Sequence, residues 1–499
     1  MKASTGVLRL LWIAVPALLL TLLPAALVRE EARQVRYEEL AESVRGPYWL
    51  EHRLVYDGAS TNVGWYAFLL VVYRLFGFGL TTAKWARVVL FCVSLLALST
   101  LLHRWMRPLP ATAALVAFAA SPTLLFLNRL TTSYGTDLLF LVFCLLLLDS
   151  LWRRSQAPRS RGSPALAAAL GAVSMLGAMT YPAFLPALPF LAGWLVAAAP
   201  ARDRIRHAAA AATGFLLPLV AATFAVRNRA TLLWDPVERA GVFRGGGVGW
   251  VADWSALRSN LDRVARDLFS GGASYYFELR SVEFGGWLGR AGFAAVLLLA
   301  AATAWKLRGT RAVLATAAGA ALLAALATSA AAGPPGLRRV TLVIAAFYLA
   351  LAVVWAARTR LTSRPWARAA IAGALVLLPL HHGVAFSDQL RQSRQAVWGR
   401  ERVWFAVAPT PRRALDRWLE HVEAGHPLDC AGLDTPGRQT CRYDYIHAAL
   451  AGARAWNGHP PIEIRAVDPR TREVVVLDPA AWLERPIPPV GSHRRYREP

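Results

Sequence analysis

Charge is scarce in this chain: Asp, Glu, Lys and Arg make up 17% of its 499 residues, against roughly a quarter in a soluble domain. That deficit excludes an ordinary water-soluble enzyme. Lysine is scarcer still, with Lys2, Lys84 and Lys306 the only three among 55 basic residues, a bias of the kind a GC-rich genome leaves. The sequence has no P-loop, no nucleophile-elbow serine and no metalloprotease helix, so ATP-driven transport has no support in it. GGGVG (245–249) has no strand pattern before it and reads as a flexible loop rather than a phosphate cradle. No internal repeat, heptad run or low-complexity linker stands out.

What the chain has in abundance is apolar sequence, 56% of residues with a mean hydropathy of +0.37. Runs long enough to cross a bilayer recur at roughly 7–28, 84–104, 110–128, 134–152, 164–180, 182–200, 208–226, 288–305, 312–332, 339–357 and 366–384. The expected fold class is therefore an all-α polytopic membrane protein of about 11 transmembrane helices. Tyr181-Pro182 alone separates two of these runs, so a single bent helix is an alternative there.

The net charge of +24 suggests a nucleic-acid binder until its distribution is read. With the N-terminus cytoplasmic, eighteen Lys and Arg fall in the short cytoplasmic segments, and the short segments opposite hold only Arg129, Arg338 and Arg339. That is the positive-inside pattern, and no nucleic acid is implied. The long segments 29–83 and 227–287 and everything after 384 then lie outside. Residues 1–384 form the expected membrane domain and 385–499 a small mixed extracytoplasmic domain. The run 7–28 is longer than a signal-peptide core and lacks a clean cleavage site, so it reads as a retained first helix. Cys92 and Cys144 fall inside spans, whereas Cys430 and Cys441 lie in the tail, on the oxidising side, and are disulfide candidates. A metal site there is disfavoured because no second cysteine pair or histidine spacing accompanies them.

Polar residues concentrate at the outer rim. Glu30 and Glu31 directly follow the first span. They read either as solvated charges on an amphipathic surface helix or as carboxylates facing a substrate whose apolar part stays in lipid. A partly desolvated carboxylate is the stronger base. Residues 65–76 are too short to cross, and Trp49, Trp65, Tyr66 and Tyr73 suggest a helix lying in the interface. Asp57-Gly58 reads first as a turn. Lys84, Arg87, Arg129, Asp137, Arg338 and Arg339 lie at the outer ends of spans. Asp137 should face the bundle, as a functional residue or a structural partner of Arg129. The cations suit phosphate, or snorkel to headgroups. His381-His382 close the last run and read as interface residues.

In order and sidedness these features resemble the GT-C class of integral-membrane glycosyltransferases, in the branch of protein O-mannosyltransferases and the lipid A aminoarabinose transferase. Glu30-Glu31 followed by ARQVRYEELAESV stands where that branch has an acidic pair, usually Asp-Glu, after its first span. VYRLFGFGLTTAKWARVVLFCVSLLAL (72–98) is similar to the run that follows the family's interfacial helix. SPTLLFLNRLTTSYGTDLLFLVFCLLLL (121–148) resembles its Arg-then-Asp passage, through Arg129 and Asp137. GAMTYPAFLPALPFLAGWLV (177–196) resembles a stretch that often carries lysine where this chain has Thr180. GLRRVTLVIAAFYLALAVV (336–354) is similar to a late span of the family, with Arg338 or Arg339 at the matching place. Ser60-Thr61-Asn62-Val63 replaces the His-Pro-Pro of many members, and the tail matches nothing in the family.

The resemblance implies a GT-C-like bundle that moves a hexosyl or pentosyl unit from a polyprenyl-phosphate carrier to a glycan, lipid or protein acceptor. The reaction would take place on the outer face of a bacterial plasma membrane. It implies Glu30 or Glu31 as general base, with Lys84, Arg129, Arg338, Arg339, Asp137 and Asp57 around the substrate and its phosphate. Some relatives use a divalent metal, which nothing in this sequence requires. Two other classes stay open, a transporter or flippase of a lipid-linked or anionic substrate and a non-catalytic membrane assembly protein. The former predicts polar residues at mid-bilayer, the latter that both glutamates are dispensable.

Overall fold

The computed structural model describes residues 2–30, 43, 46–52, 62–77, 80–128, 130–155, 163–199, 203–225, 286–306, 316–322 and 341–395, single turns within 255–265, and three short strands in the tail. In chain order the helices are α1 (Lys2–Glu30), α2 (Gly46–His52), α3 (Val63–Phe76), α4 (Leu80–Trp105), α5 (Pro108–Ala119), α6 (Pro122–Asn128), α7 (Thr136–Ser155), α8 (Pro164–Thr180), α9 (Leu188–Ala198), α10 (Arg204–Ala225), α11 (Gly286–Lys306), α12 (Thr341–Leu361) and α13 (Pro365–Gln395). A 3₁₀ segment, Pro182–Ala187, precedes α9. The strands β1 (Leu428–Asp429), β2 (Ile464–Val467) and β3 (Val474–Leu477) form one sheet, with β1 parallel and β3 antiparallel to β2. The rest of the tail, including 411–425, lies outside the described residues.

The bundle is an all-helical membrane architecture, and the described residues of each expected span are mostly helical, with only 316–322 described in 312–332. Val7–Arg29, Thr81–Trp105, Arg204–Phe224 and Thr341–Thr359 are each long and apolar enough to cross a bilayer unaided. Burial separates their roles. α12 is enclosed, with Leu342 through Val354 buried without interruption. α1 and α10 instead turn Leu10, Leu19 and Leu22, or Leu217 and Phe224, outward as a lipid-facing surface would.

Two expectations change, and the alternative of a single bent helix at Tyr181-Pro182 is removed. The run 110–128 is not one helix: α5 stops at Ala119, the chain turns through Ala120-Ser121, and Pro122 opens the short α6. Proline at a helix start lacks only a donor that would have no intrahelical partner, so it begins α6 at no cost. The 182–200 run is separated from α8 by Tyr181, whose backbone is extended, and Pro182 then starts the 3₁₀ turn. α13 continues past 384 to Gln395, so the polar sequence after His381-His382 extends the helix instead of ending it.

Trp65, Tyr66 and Tyr73 do not anchor α3 in the interface: all three are buried against the bundle. The Trp65 Nε1–H donates to the Thr131 carbonyl at 2.9 Å, and Tyr73 donates to the Ser43 carbonyl at 2.7 Å. The outward side of α3 is Val71, Leu75 and Phe76. His382, read above as an interface residue, is fully buried and bonded to the Tyr348 hydroxyl at 2.8 Å. Both mistakes have one cause, because amphipathic aromatic and imidazole groups suit a wet rim and a partnered interior equally well.

The arginine-rich end of the bundle is tied by Asp149. It accepts from Arg104 at 3.0 Å, from Arg153 at 2.8 Å and from Trp105 Nε1 at 3.2 Å, which joins the last turns of α4 and α7. Between α8 and α10 the helices touch through glycine. A Cβ placed on Gly171 would overlap the Ala211 carbonyl, and one on Gly214 the Ala168 carbonyl. Small residues are what allow helices to approach closely where lipid provides no hydrophobic drive.

Gly214→Leu or Gly171→Leu should therefore cost ~1–3 kcal/mol or prevent recovery of folded protein. Gly373→Ala, which meets nothing within 4 Å, should be neutral or stabilising by up to ~1 kcal/mol. Thermal unfolding in detergent reads both, and equal tolerance at the three positions would contradict this packing.

Candidate active site at the outer rim

Lys84 and Arg87 stand three residues apart in the first two turns of α4, so both occupy one helix face. That face points inward: Lys84 is 1% exposed and Arg87 fully buried. Neither snorkels to headgroups. Long basic side chains are enclosed like this only where the protein supplies partners, since a lone buried charge is expensive. For Arg87 one partner is the Tyr134 carbonyl, to which a guanidinium N–H donates at 2.6 Å, and another is the Trp65 ring, 5.5 Å from the guanidinium carbon to the ring centroid.

Tyr134 belongs to the tight connection 130–135 between α6 and α7. Gly135 permits its last step, with φ at +79°. A hydroxyl of Thr136 donating to the Ser133 carbonyl at 2.6 Å closes the turn. Trp65 from α3 and Arg87 from α4 thus hold this connection at two carbonyls, Thr131 and Tyr134. Asp137 follows at once, in the first turn of α7 and fully buried. A carboxylate is favoured there by the helix dipole. The Thr341 hydroxyl, at the start of α12, donates to its Oδ2, and its Oδ1 makes no hydrogen bond of ordinary geometry. The charge of Arg87 also acts on this carboxylate.

α1 reaches the same level. It runs antiparallel to α4, with Ser99 donating to the Ile13 carbonyl at 2.9 Å and Cys92 beside Thr21. Continuing outward residue for residue from Thr21 and Cys92, Glu30 comes level with Ala83, next to Lys84. This end of the bundle therefore holds Lys84 and Arg87 on α4, Asp137 on α7 and Thr341 on α12, and Asn128, Thr131, Thr132, Ser133 and Thr136, in and beside the α6–α7 connection, are buried as well.

Of the residues expected at a site, Lys84 and Asp137 are both buried at this end of the bundle, and Glu30 ends α1. Glu31, Asp57, Arg129, Arg338, Arg339, Cys430 and Cys441 lie outside the described residues. Cys92 and Cys144 carry free thiols. Among the described residues no three His, Cys, Asp or Glu gather as metal ligands. The sequence noted Arg87 only as one rim cation, although the Lys84/Arg87 spacing places both on one face. Trp65 and Thr341 carried no signal of their roles, because both owe them to contacts distant in sequence.

No protein-family profile and no curated protein match the chain. The solved structure of ArnT from Cupriavidus metallidurans bound to undecaprenyl phosphate is similar to it, with 16% sequence identity and a TM-score of 0.49. The likeness spans 92% of this chain and 86% of that one. An overlap of that degree assigns no residue a role.

Thr341→Val should lower stability by ~1–3 kcal/mol, because it strips a buried carboxylate oxygen of its donor, and Thr341→Ser should restore it. Unfolding of the three proteins in one detergent checks this; indistinguishable midpoints would remove the Asp137–Thr341 link.

Proposed function

We propose that the chain is a glycosyltransferase that moves a sugar from a polyprenyl-phosphate carrier to an acceptor at the extracytoplasmic rim. The observation that carries this reading is the burial of Lys84 and Arg87 together with Asp137 at the outer end of the helices. A polyprenyl-phosphate sugar keeps its tail in lipid, so its phosphate must be met at the rim. Ammonium and guanidinium groups in a desolvated setting are the groups that meet it well. The sequence resemblance to GT-C enzymes points the same way.

In this reading the acceptor oxygen attacks the anomeric carbon and forms the new glycosidic bond as the bond to the carrier phosphate breaks. The departing phosphate takes the electron pair, and Lys84 and Arg87 stabilise its growing charge. One direct displacement inverts the anomeric centre. The acceptor proton passes to a carboxylate, for which the reading assigns Glu30 or Glu31, with Glu30 at the end of α1 on the Lys84 level. Arg129, Arg338, Arg339 and Asp57 are further contacts this reading assigns to the substrate. No nucleotide and no metal enters any of these steps. Whether the sugar is a hexose or a pentose depends on the pocket wall rather than on this chemistry. The tail after α13 is proposed as a separate extracytoplasmic domain, with Cys430 and Cys441 as a disulfide pair.

The test is turnover in nanodiscs with a panel of polyprenyl-phosphate sugars. Lys84→Gln should lower kcat roughly 10²–10³-fold if the lysine stabilises the departing phosphate. One of Glu30→Gln and Glu31→Gln should lower it at least about 10²-fold while carrier binding persists. Carrier binding without turnover, unchanged in all four proteins, would instead favour a transporter or an assembly protein.

A further inference from the structure

Hydroxyl groups in this bundle follow a rule that a few of them break. On the helices, buried and half-buried serines and threonines return their hydrogen bond to a carbonyl one turn back. Ser94 bonds to Leu90 at 2.8 Å, Thr100 to Leu96 at 2.8 Å, Thr180 to Leu176 at 2.6 Å and Thr303 to Leu299 at 2.7 Å. That is the ordinary way to satisfy a hydroxyl away from water. Thr132, 1% exposed in the connection 130–135, has no carbonyl one helical turn back, and its Oγ1 has no partner at all. Four residues earlier, Asn128 is fully buried and spends its amide on the Leu124 carbonyl at 2.7 Å, which leaves Oδ1 without a donor. A buried polar atom in this condition costs stability unless something else satisfies it.

The backbone around Thr132 is not loose. Trp65 holds the carbonyl just before it, at Thr131, and Arg87 holds the carbonyl two residues after it, at Tyr134. The hydroxyl is therefore carried on a segment fixed from both sides and remains unpaired. The carbonyl that Arg87 holds is two residues from Thr132, at most about 7 Å along the chain. The cationic and the uncharged residues differ in chemistry. Asn128 Oδ1 and the Asp137 carboxylate are acceptors that repel a phosphate, and they accept from hydroxyl groups instead; the Thr132 hydroxyl can donate or accept.

We infer that Asn128 and Thr132, on the segment that leads into Asp137, form a hydroxyl-recognising subsite for the glycosyl unit, next in the chain to the Tyr134 carbonyl held by Arg87 of the phosphate subsite. The inference rests on the reading of the rim as a glycosyl-phosphate site, and it adds which residues read the sugar. Recognition follows from the unpaired atoms. A sugar that offers hydroxyls to Oδ1 of Asn128 and Oγ1 of Thr132 removes the desolvation penalty that the empty protein bears. A carrier without sugar leaves that penalty in place.

The experiment measures binding of bare polyprenyl phosphate, and of polyprenyl-phosphate hexose and pentose, to wild type, Thr132→Val, Thr132→Ser and Lys84→Gln in nanodiscs. Thr132→Val keeps the shape and deletes the hydroxyl. It should leave the Kd for the bare carrier unchanged and weaken the better glycosylated carrier roughly three- to tenfold. Thr132→Ser should bind like wild type. In the absence of ligand, Thr132→Val should unfold at a higher temperature, because an unpaired hydroxyl has gone; a purely structural hydroxyl would give the opposite sign. Equal weakening of bare and glycosylated carriers, or no weakening of either, overturns the subsite while Lys84→Gln still reports on the phosphate reading. If wild type binds neither carrier, the phosphate reading fails and the subsite falls with it.

Discussion

The guanidinium of Arg87 is the interaction on which the outer half of this protein depends. It is fully buried, at a depth where a charge is tolerated only with partners in place. Its partners come from elsewhere in the chain: the Tyr134 carbonyl from the α6–α7 connection, the Trp65 ring from α3, and the electrostatic influence of Asp137 from α7. Asp137 in turn holds the start of α12 through Thr341. One buried cation thereby fixes four elements, and the rim keeps its shape because each needs the others to stay satisfied.

The two ends of the bundle solve the same problem differently. At the arginine-rich end, Asp149 is shared between Arg104 and Arg153, and both arginines retain solvent, with side chains 27% and 48% exposed. Such a pair is a surface clamp of modest energy. At the opposite end Lys84 and Arg87 are enclosed, and Arg87 is met by the Tyr134 carbonyl and the Trp65 ring rather than by water. Enclosure strengthens every electrostatic interaction made there, which is the property a site for departing phosphate requires. Elsewhere in the bundle α8 and α10 approach closely at Gly171 and Gly214, and α12 is buried from Leu342 to Val354.

Much of this was legible in the sequence, for physical reasons. Membrane crossing is written in length and hydropathy, so the apolar helices could be placed. Lys84 and Asp137 could be singled out because an ionisable residue inside a span is costly enough to need a purpose. What the sequence did not disclose were roles created by distant contacts. Trp65 looked like an interfacial aromatic, yet it donates to a carbonyl 66 residues away. Thr341 lies 204 residues from the carboxylate it holds. The break at Ala120-Ser121 inside an apolar run was hidden because hydropathy reports depth and not backbone direction. Glycine contacts such as Gly171 were equally silent, since a small residue in a helix signals nothing until its neighbour is known.

The central claim is that the buried cations of the outer rim receive the phosphate of a lipid carrier. The most direct measurement is an experimental structure of the protein in nanodiscs with bound polyprenyl phosphate. The account predicts phosphate density within hydrogen-bond distance of Lys84 Nζ and the Arg87 guanidinium, with the polyprenyl tail leaving toward lipid. Phosphate seated instead among Arg104 and Arg153 at the opposite end, with the rim unchanged, would contradict it.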